Sequence, residues 1–194
     1  MQQKVRRVAG VGINDADYRV TTYDAEGRQS MCPFYNAWNA MIKRCYSQAH
    51  QLRSPTYVGC TVCAEWLRFS NFKAWMEQQD WKGKELDKDL LIKGNRVYSP
   101  DTCTFVDAMT NSFTIDSGAA RGAYLIGVSF HKKSGRFSAN CNNPLTGKRR
   151  HIGLFDDELS AHLAWKRKKH EIACQLASLQ SDNRVAEALR VRYL

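Results

Sequence analysis

Residues 127–155 read GVSFHKKSGRFSANCNNPLTGKRRHIGLF, and their alternation decides the fold of the C-terminal half. Val128 and Phe130 alternate with Ser129, His131 and Lys133. Gly135 turns the chain, and Phe137, Ala139 and Cys141 then alternate with Ser138, Asn140 and Asn142. Asn143-Pro144 through Gly147 turns it again, after which Arg149 and His151 alternate with Arg150 and Ile152. Successive strand side chains point to opposite faces, so this pattern predicts three strands with one apolar and one polar, basic face. Beyond them Asp156 reads as an N-cap, and Ala161, Trp165, Ile172 and Leu176 recur at helical spacing. That helix would pack on the sheet, with the basic run Lys166 to Lys169 on a solvated face.

The charge of the chain is concentrated in the same place. The net charge is +10 over 194 residues, from 29 Lys and Arg against 19 Asp and Glu. Residues 121–155 hold seven basic residues (Arg121, Lys132, Lys133, Arg136, Lys148, Arg149, Arg150) and no acidic one. A surface of one sign attracts polyanions by Coulomb force and counterion release, and nucleic acid is the usual partner. A hydrophobic content of 43% excludes a chain disordered throughout. No apolar run is long enough to span a membrane, and MQQKVRRVAG lacks the apolar region of a secretory signal. The expectation is a cytoplasmic protein with no membrane partner.

The N-terminal half reads differently. Tyr18 to Tyr23 is β-prone between turn signals, so residues 1–30 predict an arm or hairpin. Phe34, Trp38, Met41 and Cys45 make one apolar stripe on a helix over 33–47, with Lys43 and Arg44 off the stripe. Trp66, Phe69, Phe72 and Met76 predict a second helix over 64–78. Leu86, Leu90 and Leu91 flank two acids, Lys93-Gly94-Asn95 turns, and Val97-Tyr98 continues as a strand. Ser99-Pro100 has the form of an N-cap with a first-turn proline. The expected order is strand, turn, strand, short helix. A further helix capped by Asp107 and a linker at 117–122 follow. The fold class is α+β, with domains at 31–116 and 123–180 and a last helix within 181–194.

Seven cysteines are an odd number, and a chain without a secretory signal does not call for a disulfide framework. Cys60 and Cys63 are the one pair at zinc spacing. Four ligands are needed for a structural zinc, and nothing in the spacing of Cys45 and Cys103 demands that they complete a set. Buried thiols packing as small apolar groups are expected instead.

Two stretches resemble known families. Gly127-Val128, Gly135-Arg136-Phe137, Ala139, Gly147, Ile152-Gly153-Leu154-Phe155 and the helix with Ala161 and Trp165 resemble an AP2-type DNA-binding domain. That family packs three antiparallel strands on one helix and places the sheet in the major groove. The resemblance implies contacts to double-stranded DNA from Ser129, His131, Lys133, Arg136, Asn140, Asn142, Lys148, Arg149 and His151. The chemistry suits such contacts, since Arg pairs bidentately with guanine, Asn with adenine, and Lys holds phosphate.

The other stretch is similar to phage-encoded HNH-type endonucleases, including homing enzymes. It comprises Cys32-Pro33, Tyr35, Trp38, Met41, Arg44-Cys45-Tyr46, Trp66, Phe69, Phe72, Trp75, Leu86-Asp87-Lys88-Asp89-Leu90, Gly94-Asn95 and Tyr98-Ser99-Pro100 with Cys103. Such nucleases use one divalent ion, Mg²⁺ or Mn²⁺, as Lewis acid beside a base that activates water. The resemblance implies Asp87 as metal carboxylate and Asp89 as second ligand or base. Asn95 would fix the loop, and Asp101 or Thr102 would hold the helix position. Lys88 stands where a His base is expected. A phage protein acting in a bacterial host is implied. Three functions fit: a DNA endonuclease, a DNA-binding regulator with a degenerate nuclease unit, or a protein-binding inhibitor of a host defence complex.

Overall fold

The computed structural model describes residues 7–116 and 122–194. Arg121 and all of the expected linker except Gly122 lie outside these. The chain divides into two compact units, Met1–Val106 and Asp107–Leu194. The fold is mixed α and β, built from helices and small sheets, with a three-stranded antiparallel sheet last.

The first unit is assembled on a buried aromatic core. Strands β1 (Arg7–Val8) and β2 (Gly12–Ile13) pair antiparallel, as do β3 (Thr21–Tyr23) and β4 (Gln29–Met31). Val8, Val11 and Val20 pack on the core, and residues 21–31 form a hairpin, one of the two forms expected for this region. A Cβ on Gly12 would lie 3.0 Å from the Trp38 ring. Helix α1 (Pro33–Tyr46) buries Trp38, Met41, Ile42 and Cys45, and α2 (Gln48–Arg53) follows it. Burial of this stripe removes large apolar area from water, the main favourable term in folding.

The single helix expected over 64–78 is broken in two. A 3₁₀ turn covers Glu65–Leu67, Arg68 is extended, and α3 runs from Phe69 to Met76. Long-range partners account for the break. The Trp66 carbonyl accepts the Trp38 indole N–H at 2.7 Å, and Asp15 accepts the Ser70 N–H at 2.9 Å. Asp15 thus satisfies an amide of the new helix start from a distant loop.

The expected ββα order is also rearranged. Strand β5 (Thr61–Val62) pairs parallel with β7 (Val97–Tyr98), and β6 (Glu85–Asp87) pairs antiparallel with β8 (Thr104–Val106). Thus β6 and β7 form no hairpin. Ser99 to Cys103 makes one turn, closed by Cys103 N–H on Ser99 O at 3.0 Å, rather than a helix.

In the second unit α4 (Ala108–Thr114) packs with the C-terminal elements, so residues 107–116 belong there and not with the first domain. Arg192 donates to Thr114 O at 3.1 Å and the Tyr193 hydroxyl to Phe113 O at 3.2 Å. Strands β9 (Val128–His131), β10 (Arg136–Asn143) and β11 (Lys148–Phe155) form the sheet in order β11-β10-β9. Helix α5 (Glu158–Ala177) covers the face of Ala139 and Cys141, and α6 (Asn183–Val191) buries Val185, Ala186 and Leu189. The last helix is therefore part of this unit. Asp157, not Asp156, caps α5, accepting Ser160 N–H at 2.8 Å. Gly127, at φ +83°, lies so close that a Cβ would fall 2.1 Å from the Trp165 ring, which excludes any side chain there.

Asp107 caps α4, with Oδ1 accepting Thr110 N–H at 2.7 Å and Oδ2 accepting the Thr110 hydroxyl at 2.8 Å. Burial pushes its pKa up, but these bonds outweigh burial and hold it below the ordinary carboxylate value. Its contribution is therefore complete above about pH 4 and is lost as pH falls through the lower folded value. Asp107→Ala is expected to cost about 0.5–2 kcal/mol in denaturant melts at pH 7. The difference from the parent shrinks in acid.

Candidate functional site

Register gathers most of the expected DNA contacts on one face. Residues paired across antiparallel strands share a face. Arg136 pairs with His131, Ser138 with Ser129, Asn140 with His151, and Asn142 with Arg149. A bulge between Ala139 and Asn140 absorbs Ile152 as an extra residue, and this brings His151 opposite Asn140. Asn140 Nδ2 donates to Ser138 Oγ at 3.0 Å. His151 Nδ1 lies 3.3 Å from that hydroxyl and 3.4 Å from Asn140 Oδ1. Ser129, His131, Asn142, Arg149 and His151 are exposed. The strands contain no carboxylate, and Asp156 beyond them accepts from Arg136 Nε at 2.8 Å.

Two expected residues lie elsewhere. Lys133 belongs to the exposed β9–β10 turn, not to a strand. Lys148 pairs with Asn143, on the face of Cys141 and Arg150. Lys133 is misplaced because β9 ends at His131, and Lys148, expected as a contact through the family resemblance, falls on the face that alternation gives it.

In the first unit, Asp87 ends β6 and Oδ1 accepts the N–H groups of Asp89 at 2.8 Å and Leu90 at 2.6 Å. Burial raises the Asp87 pKa and the Asp89 carboxylate raises it further, while the two amides and Lys88 act against this. Lys88 Nζ donates to Asp89 Oδ2 at 2.9 Å, with its side chain only 11% exposed. Burial alone would lower the Lys88 pKa, but Asp89 reverses the sign and keeps the ammonium charged. A charged ammonium cannot accept a proton from water, so Lys88 does not replace a His base. Asn95 Nδ2 donates to Lys88 O at 2.6 Å and to Val97 O at 2.7 Å, which ties the 88–97 loop to itself.

Among the described residues no three His, Cys, Asp or Glu side chains come together as a group that could hold a metal ion. Asp101, exposed in the turn after β7, does not join Asp87 and Asp89. Cys45, Cys60 and Cys103 are buried in the core as free thiols. Burial pushes Cys45 and Cys103 up to about 12.

Arg44, placed off the apolar stripe by its spacing, is turned inward. Its guanidinium lies 5.5 Å from the Tyr57 ring centroid, and its pKa is raised despite burial by Tyr57, Tyr98 and Glu85. Lys88 Nζ lies 6.0 Å from the Tyr98 ring. Tyr98 therefore interacts with both Arg44 and Lys88, a feature that local sequence does not signal. Among the described residues no helix is long and apolar enough to cross a membrane. Comparison with family models, with curated proteins and with solved structures gave no match.

Proposed function

We propose that this protein is a metal-dependent DNA endonuclease, in which the basic AP2-like sheet holds double-stranded DNA and an HNH-like acidic loop at Asp87 cuts it. The observation that carries the reading is the gathering of Ser129, His131, Asn140, Asn142, Arg149 and His151 on one face of a sheet without carboxylates. Amides, imidazoles and a guanidinium on a strand surface match the donors and acceptors of base edges.

Asp87 and Asp89 are hard oxygen donors of the kind Mg²⁺ or Mn²⁺ takes. The raised Asp87 pKa fits that use, because a cation there offsets both burial and the neighbouring carboxylate. When bound, the ion supplies Lewis-acid polarisation of the scissile phosphate. Asp87 holds its position through two backbone amides. Asn95 fixes the loop, and Lys88 presents a fixed positive charge to the charge that develops on the phosphoryl group. A second reading, a DNA-binding regulator that does not cut, is favoured by the charged state of Lys88.

Binding is tested by fluorescence anisotropy with a labelled duplex at several salt concentrations. Affinity is expected to fall steeply with salt, and Lys133→Ala to reduce the slope of log K against log salt by about 1. A flat salt dependence removes the polyanion reading.

A further inference from the structure

Strand β9 pairs with Arg136 to Ala139 of β10 and Asn140 N–H donates to Gly127 O at 3.0 Å, so among the described residues the stretch Cys141 to Asn143 has β11 on one side and no strand on the other. Part of this stretch lines a cleft of about 640 Å³ with Arg149, Trp165, Lys169, Ser112 and Phe113, all in the second unit. That volume is in the range of small-molecule sites.

Lys169 breaks the expectation of a solvated basic run. It follows Trp165 by four residues and precedes Ile172 by three, which places it on the buried stripe of α5. Its ammonium donates to Phe113 O at 2.7 Å and lies 3.5 Å from the Phe113 ring centroid, with Tyr193 at 5.3 Å. The charged and titratable groups acting on it are Cys141 from β10 and Arg192 after α6. Neither is a carboxylate, whereas neighbouring Lys168 pairs with Glu171. Burial brings Lys169 down to about 8, with Arg192 acting the same way and Cys141 against it.

Among the described residues no carboxylate acts on this desolvated cation, which is costly, and Arg192 adds to the cost. An anion in the cleft would offset both. Asn142 and Arg149 are paired across β10 and β11, and both are exposed. An Asn carboxamide matches the N6 and N7 edge of adenine.

We propose that this cleft binds a purine nucleotide, with Lys169 on the phosphate and Asn142, which lines the cleft from the other face of the sheet, on the base edge. The nucleotide is either free or a unit of a DNA strand drawn out of its stack, and only the second source rests on the DNA-binding reading.

The test uses the full chain. Calorimetry with adenosine monophosphate and with inorganic phosphate covers the free source. A duplex carrying 2-aminopurine covers the strand source, since unstacking raises its fluorescence. Binding of the monophosphate at least tenfold tighter than phosphate, or a fluorescence rise, supports the site. In either case Lys169→Met is expected to reduce the signal at least tenfold. Monophosphate affinity should also fall between pH 7 and 9 as the free Lys169 loses its proton. Asn142→Ala, an exposed change that spares the fold, should weaken the monophosphate but not phosphate. No binding in any arm, or equal binding by Lys169→Met, overturns the proposal. Duplex affinity with no signal in either arm rejects the cleft and leaves the DNA reading standing. Monophosphate binding without duplex affinity does the reverse.

Discussion

Asp87→Asn is expected to lower metal-dependent plasmid nicking by about 100-fold or more, the scale of several kcal/mol of transition-state stabilisation. Asparagine is the informative substitution. Oδ1 of Asp87 accepts two backbone amides, and an asparagine oxygen can accept the same pair while carrying no charge. The turn is kept and the negative charge is lost. Asp87→Ala removes both, so a larger stability loss in alanine than in asparagine separates the structural part from the chemical part. Because burial and Asp89 raise the Asp87 pKa in the metal-free protein, metal affinity should begin to weaken in acid above the ordinary aspartate value of about 4. More metal should then be needed for the same nicking rate as pH drops, since a protonated carboxyl is a poorer ligand for a hard cation. Duplex affinity of Asp87→Asn should match the parent by anisotropy.

The second large effect is expected at Arg149. Arg149→Ala should weaken duplex binding by about 1–3 kcal/mol, roughly 5–150-fold, at moderate salt. Arg149 is exposed and lies opposite Asn142 on the carboxylate-free face. Arg136 should matter less, because Asp156 already accepts its Nε. A gel-shift series of the two variants tests the order. Equal loss at both would point to net charge rather than to the arrangement of the face.

How much of this was legible in the sequence differs between the two halves. Alternation in 128–155 was enough for the three strands, because a half-buried sheet writes its period directly into the chain. It could not show the bulge that sets His151 opposite Asn140, since that depends on cross-strand register, nor that β9 ends at His131 before Lys133. The first unit was less legible. Its strands are two or three residues long, so pairing is settled by distant contacts rather than by propensity. That is why β6 pairs with β8 and not with β7. Asp15 capping α3 across the chain is likewise invisible locally. Lys169 was the reverse case: its spacing from Trp165 and Ile172 marked it for the buried stripe, and the neighbouring charges masked that signal.

For the Asp87 loop, the sequence offered acids and an asparagine in a suggestive order, and the structure adds the fixed loop and the charged Lys88. The most direct measurement is a time course of supercoiled plasmid with the purified protein and Asp87→Asn, in Mg²⁺, Mn²⁺ or EDTA. Nicked or linear product from the parent with either metal, none with EDTA, and at least 100-fold less from the variant is the predicted result. Plasmid left supercoiled by the parent in both metals, while duplex binding persists, would contradict cleavage at Asp87 and leave a DNA-binding regulator.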